Sequence, residues 1–224
     1  MILERFDRVV FVGDDSMQTI YNGFNILLRQ DLAWGALMTW RMDERTQDQC
    51  RCGNQFARPR CSKHFVTSSN EVTKNTPARG RPYACQRPSH ALLLIDSSPA
   101  PTHVRTQFQQ MTVTVQPSNS KPVPIIHSLC PDTVSPDTAS NSVREFLVLA
   151  HDSKRKTPLL WVGPSAAGHM EMKNRKATIA RDHDVEVWRV WNMTSSGDRV
   201  KFAEGVAITQ AMMVINWLSR LETS

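Results

Sequence analysis

Acyl transfer needs a nucleophile, a base to take its proton, and donors for the oxyanion that forms. The stretch FVGDDSMQTIYNG, from Phe11 to Gly23, can supply two of these. An apolar run ends at Gly13, acids follow at Asp14 and Asp15, and Ser16 stands where a helical pattern begins. A serine at such a turn projects its hydroxyl, and the free N–H groups of a helix start face developing negative charge. Asp and Ser are also good caps, because their side chains accept the orphan N–H groups of a first turn. The stretch therefore carries two readings, a nucleophile elbow and a capping turn.

Other residues could complete a site. His169 follows the turn GPSAAG (163–168) and could serve as base or bind substrate. His127 ends the apolar run VPIIHS and could face the site or form a structural hydrogen bond. His183, between Asp182 and Asp184, reads as a solvated turn. Trp188 and Trp191 could stack on a sugar ring. Asn192-Met193-Thr194 is a glycosylation sequon, relevant in a secretory lumen. Gly35, His127, Trp191 and Asn192 make up the candidate substrate-binding set. Nothing in the sequence calls for a cofactor.

The five cysteines are Cys50, Cys52, Cys61, Cys85 and Cys130, so at least one has no partner within the chain. In an oxidising compartment the loop from Cys50 to Cys85 would be stapled by disulfides. In a reducing one, Cys50, Cys52, Cys61 and His64 could hold zinc, although Cys-x-Cys is tighter than the usual ligand spacing. The net charge of +6 speaks to solubility and weak anion binding. The basic clusters at 51–63, 79–87, 154–156 and 173–176 lack the interleaved aromatics of a stacking platform, so nucleic acid is not an expected partner. No apolar run is long enough to span a bilayer, and the start MILERFDRVV lacks a signal peptide's layout.

These residues need elements to position them. The 224 residues suit one domain. Residues 8–13 (RVVFVG), 91–96 (ALLLID), 123–128 (VPIIHS), 158–163 (PLLWVG) and 185–190 (VEVWRV) read as buried strands, and 35–40 (GALMTW) as a further one. Helical spacing marks 16–29, 104–111, 141–152 and 205–221, with Val143, Phe146, Leu147 and Leu149 or Ala150 facing inward in the third. Residues 131–136 read as a linker. Between about 43 and 88 the pattern dissolves into an irregular, Cys-containing insertion. Strands alternating with helices predict an α/β fold with a mostly parallel sheet covered on both faces. Ligands in such sheets bind beyond the carboxyl ends of the strands.

FDRVVFVGDDSMQTIYNGFNILLRQDL resembles the opening block of the PC-esterase family, a GDSL-type branch of the SGNH hydrolases. The Cys50-x-Cys52 loop, LLWVGPSAAGHMEMKNRK (159–176) and VWNMTSSGDRVKF near the end are similar to fungal members. The resemblance implies a three-layer α/β/α sandwich, a secretory setting, and esterase or acyltransferase chemistry on acylated carbohydrate. The family pattern places Gly-Asp-Ser after the first strand and Asp-x-x-His before the last helix. Here Asp15 fills the serine slot, and Ser16 lies one position late. Asp198 fits the acid, and Lys201 takes the His slot. A carboxylate nucleophile would give a mixed anhydride, and a protonated Lys is no base. The expectation is an Asp15–Lys201 ion pair in an impaired site. A Ser16–Lys201 dyad is the active alternative, and a glycan-binding pseudoenzyme or a zinc- or nucleic-acid-binding module are the others.

Overall fold

The structure is a computed structural model and describes residues 5–75, 89–113, 120–129, 134–163, 185–188 and 203–222. Five strands form one all-parallel sheet: β1 (Val9–Gly13), β2 (His90–Leu94), β3 (Ile125–Ser128), β4 (Leu159–Val162) and β5 (Glu186–Trp188). Their order is β2-β1-β3-β4-β5, and β1 pairs on one side with β2 and on the other with β3. Strands buried on both faces read as continuous apolar runs, and every residue of β1, β3 and β4 is buried.

Helices cover both faces, giving the three-layer α/β/α sandwich. On one side α1 (Asp15–Arg29) and the last helix, α8 (Ala203–Arg220), pack on Phe11, Ile126 and Leu160. On the other, α6 (Thr102–Thr112) and α7 (Pro136–Asp152) pack on Val10, Val12, Ile125 and Trp161. Alternation along β1 thus sends Val10 and Val12 to one core and Val9 and Phe11 to the other.

Residues 35–40 do not form the expected strand. The Asp31 carboxylate accepts the N–H groups of Ala33 and Trp34, both at 3.0 Å. Arg29 Nη1 donates to the carbonyls of Gly35 (2.8 Å) and Leu37 (2.9 Å). The chain is held in successive turns, makes a single bridge from Leu37 to Phe65, and enters a 3₁₀ turn at Thr39–Arg41. The linker expectation also fails at its end. Ser135 caps α7 by accepting the Thr138 N–H, and Pro136 occupies the first turn, so the helix starts five residues before Asn141.

The insertion is helical over its described part, with α2 (Glu44–Cys50), α3 (Asn54–Ala57), α4 (Pro59–Ser62) and α5 (Ser69–Asn75). Residues 76–88 lie outside the described residues. Helices this short are marginal alone. These pack Cys50, Cys61, Phe65 and Phe56 against Ile26 of α1 and Ile208 of α8. A Cys50–Cys61 disulfide links α2 to α4, with both cysteines fully buried. Paired Cys50→Ser and Cys61→Ser substitutions are expected to cost about 2–3 kcal/mol for a loop this short. The readout is the urea midpoint; no change would mean the insertion holds itself without the link. Residues 67–69 then run along the free side of β2. The Leu92 N–H donates to the Thr67 carbonyl (2.9 Å), the His90 N–H donates to Ser69 Oγ (3.1 Å), and Ser68 bridges Ala91.

Candidate functional site

In this strand order the chain reverses direction between β1 and β3, and in parallel sheets ligands bind beyond the carboxyl ends of the strands at such a point. Gly13 ends β1 there, paired with Leu94 on one side and Ser128 on the other. A Cβ on Gly13 would stand 1.9 Å from the Ser128 carbonyl oxygen and 2.7 Å from Met17 Cβ. Only glycine lets α1 leave so close to β3.

Asp14 is the N-cap of α1. Its Oδ1 accepts the Ser16 N–H at 3.0 Å and the Ser16 hydroxyl at 2.5 Å. Asp15 is the first helical residue, exposed at the positive end of the helix dipole, and takes no side-chain hydrogen bond or ion pair from the described residues. Its carbonyl accepts the Thr19 hydroxyl at 3.0 Å. Ser16 is exposed, and among the described residues no His or Lys side chain approaches its hydroxyl. The Ser16 proton is therefore held by the capping carboxylate. This is the geometry of a cap, with the Asp15 carboxylate exposed beside it.

The start of α8 belongs to the same edge. Arg5, just ahead of β1, donates to the carbonyls of Leu218 (3.4 Å), Ser219 (2.7 Å) and Leu221. Arg220 pairs with Glu186, the first residue of β5, at 3.0 Å. The carboxyl end of α8 thus lies at the amino edge of the sheet, so its amino end points to the carboxyl edge. Its height is set by Gly23, where a Cβ would stand 2.2 Å from the Ala207 carbonyl oxygen. Lys201 and Asp198 immediately precede α8 but lie outside the described residues, as do His169, Trp191 and Asn192.

Two residues of the substrate-binding set stand elsewhere. His127 is fully buried on the α7 side of the sheet, against the Phe146 ring. Its Nε2 is 3.0 Å from Ser142 Oγ, and its Nδ1 has no hydrogen-bond partner among the described residues. An orphan acceptor is cheaper than an orphan donor, so the proton belongs on Nε2, donated to Ser142. Burial lowers the His127 pKa to about 3, which keeps the ring neutral. His127 is therefore a structural histidine and does not reach the crevice. Gly35 packs against Ile26, where a Cβ would come within 2.5 Å of its Cα. That is about 16 Å along α1 from Asp15, and the Gly35 N–H is already donated to the Asp31 carbonyl at 2.8 Å.

One supporting residue has no sequence signature. Glu145 of α7 accepts the Ala100 N–H (3.0 Å) and the Ser98 hydroxyl (3.2 Å), fixing the loop that carries Asp96 and Ser97 out of β2. The zinc reading loses two ligands, because Cys50 and Cys61 share a disulfide and offer no thiolate. Cys52 is an exposed free thiol, and among the described residues no group of three metal-ligating side chains forms. No helix of the described residues is long and apolar enough to cross a membrane.

No family model matches the chain. No curated protein and no solved structure matches it either.

Proposed function

We propose that the chain is a PC-esterase-like domain of the SGNH type, descended from carbohydrate O-acyl esterases or acyltransferases. In this reading its carboxyl-edge crevice binds an acylated carbohydrate, and its catalysis is impaired. The observation that supports this best is the Gly13–Ser16 turn at the point where the sheet reverses, with α8 directed to the same edge. The impairment is argued from the same turn. Asp15 occupies the attacking position by resemblance, and the Ser16 hydroxyl is bound to Asp14 rather than to a base. Lys201, in the His slot by resemblance, would complete the loss by pairing with Asp15. The buried Cys50–Cys61 disulfide favours an oxidising compartment such as the secretory lumen.

The test compares the wild-type chain with Ser16→Ala on p-nitrophenyl acetate and acetylated xylan, and titrates both with acetylated xylo-oligosaccharide. The expected result is binding by both proteins and turnover by neither. Wild-type turnover that Ser16→Ala abolishes would restore the active Ser16 enzyme and overturn the impairment. No turnover and no oligosaccharide binding would end the carbohydrate reading.

A further inference from the structure

A polar groove runs along β2 from the amino edge of the sheet. Arg8 directly precedes β1, about 17 Å from the Gly13 turn at strand rise. Its side chain is half-buried. Nε donates to Ser89 Oγ at 3.0 Å and Nη1 to the Met111 carbonyl at 3.4 Å. None of the carboxylates of the described residues pairs with it, since Asp7 is taken by Arg155. Burial, and then the neighbouring Arg155, lower the Arg8 pKa against the opposing pull of Asp7. A half-buried guanidinium that no carboxylate of the described residues pairs with keeps N–H groups that a planar oxyacid would satisfy in bidentate fashion.

The surroundings narrow the ligand. The groove beside Arg8 has a volume of about 340 Å³ and is lined by Asn70, Gln107 and Gln110, by the hydroxyls of Ser68 and Ser89, and by Met111. The three carboxamides make no side-chain hydrogen bond among the described residues. Each presents a donor pair and an acceptor, which suits neighbouring hydroxyls on one ring. The volume sits at the low end of ligand pockets, roughly 300–1,000 Å³, so it takes a single monosaccharide unit rather than a chain.

From a guanidinium and three carboxamides that line one groove we infer that this groove binds a sugar acid, with its carboxylate on Arg8 and its ring hydroxyls on Asn70, Gln107 and Gln110. The groove includes none of the residues of the Gly13–Ser16 turn and does not depend on the function proposed there. A purely structural Arg8 would only tie the end of α6 to the start of β1 through the Met111 carbonyl.

Calorimetric titration with galacturonate, its neutral counterpart galactose, and inorganic phosphate separates these roles. Galacturonate is expected to bind the wild-type chain at least about tenfold more tightly than galactose, and Arg8→Gln to remove that preference. The exposed pair Gln107→Ala and Gln110→Ala is expected to weaken galacturonate several-fold without moving the melting temperature, which keeps the test open if Arg8→Gln fails to fold. Equal binding of galacturonate and galactose, or no binding of either, overturns the assignment. Phosphate binding as tightly as galacturonate overturns the sugar part of it. Loss of galacturonate binding in Ser16→Ala would place the ligand in the other crevice and also overturn it.

Discussion

Replacing Gly13 by alanine is expected to destabilise the protein by about 3 kcal/mol, the upper end of overpacking costs. The added Cβ would lie 1.9 Å from the Ser128 carbonyl oxygen, a backbone atom already set by the pairing of β1 with β3. Met17 Cβ, at 2.7 Å, blocks the other side. Neither neighbour is the flexible end of a long side chain, so relief means moving β3 or lifting the first turn of α1. Valine at this position should cost more. Because the clash falls at the turn that carries Asp14, Asp15 and Ser16, the oligosaccharide binding proposed above should weaken in the folded fraction as well. The measurement is urea unfolding of wild type and Gly13→Ala side by side. A midpoint shift worth less than about 1 kcal/mol would show that the strand tips are not packed as described.

Acid should unfold this protein partly through His127. The histidine is neutral and buried in the fold, with its pKa depressed to about 3, while in the unfolded chain it titrates near 6.5. The unfolded state therefore binds the proton first. The contribution of the neutral ring to stability is fully present above pH 6.5. It is lost as the pH falls toward 3, at about 1.4 kcal/mol per pH unit, or roughly 3 kcal/mol by pH 4. In His127→Gln this part of the slope should vanish, though the variant starts less stable at neutral pH. Carboxylates protonate over the same range, so the decisive quantity is the difference between the two profiles. Parallel profiles for wild type and His127→Gln would mean that His127 is solvated and that its place in the core is wrong.

The fold was largely legible because its strands are short apolar runs covered on both faces. β1, β2, β3 and β4 begin and end within two residues of their expected limits, and each ends near a Gly, Ser or Asp. What the sequence hid was governed by side chains acting across several residues. Apolar residues at 35–40 look like a strand until Arg29 and Asp31 fold them into turns. The insertion helices are too short for periodicity to appear, and a disulfide and contacts with Ile26 and Ile208 hold them. At the site, residue types alone showed that Asp14, Asp15 or Ser16 could cap the helix, and the structure puts the cap at Asp14. For His127 a structural hydrogen bond was one of two readings, and its partner Ser142 was not legible, because alternation puts the ring on the Ile125 face without saying that α7 closes over that face.

The cover on β2 has a consequence for self-association. An edge strand with free N–H and C=O groups is a template onto which a second chain can add, and such additions seed sheet-to-sheet aggregation. Along β2 the outward donors of His90 and Leu92 are already taken by Ser69 and Thr67. Another copy arriving on that side would have to strip residues 67–69 from the sheet before it could extend it.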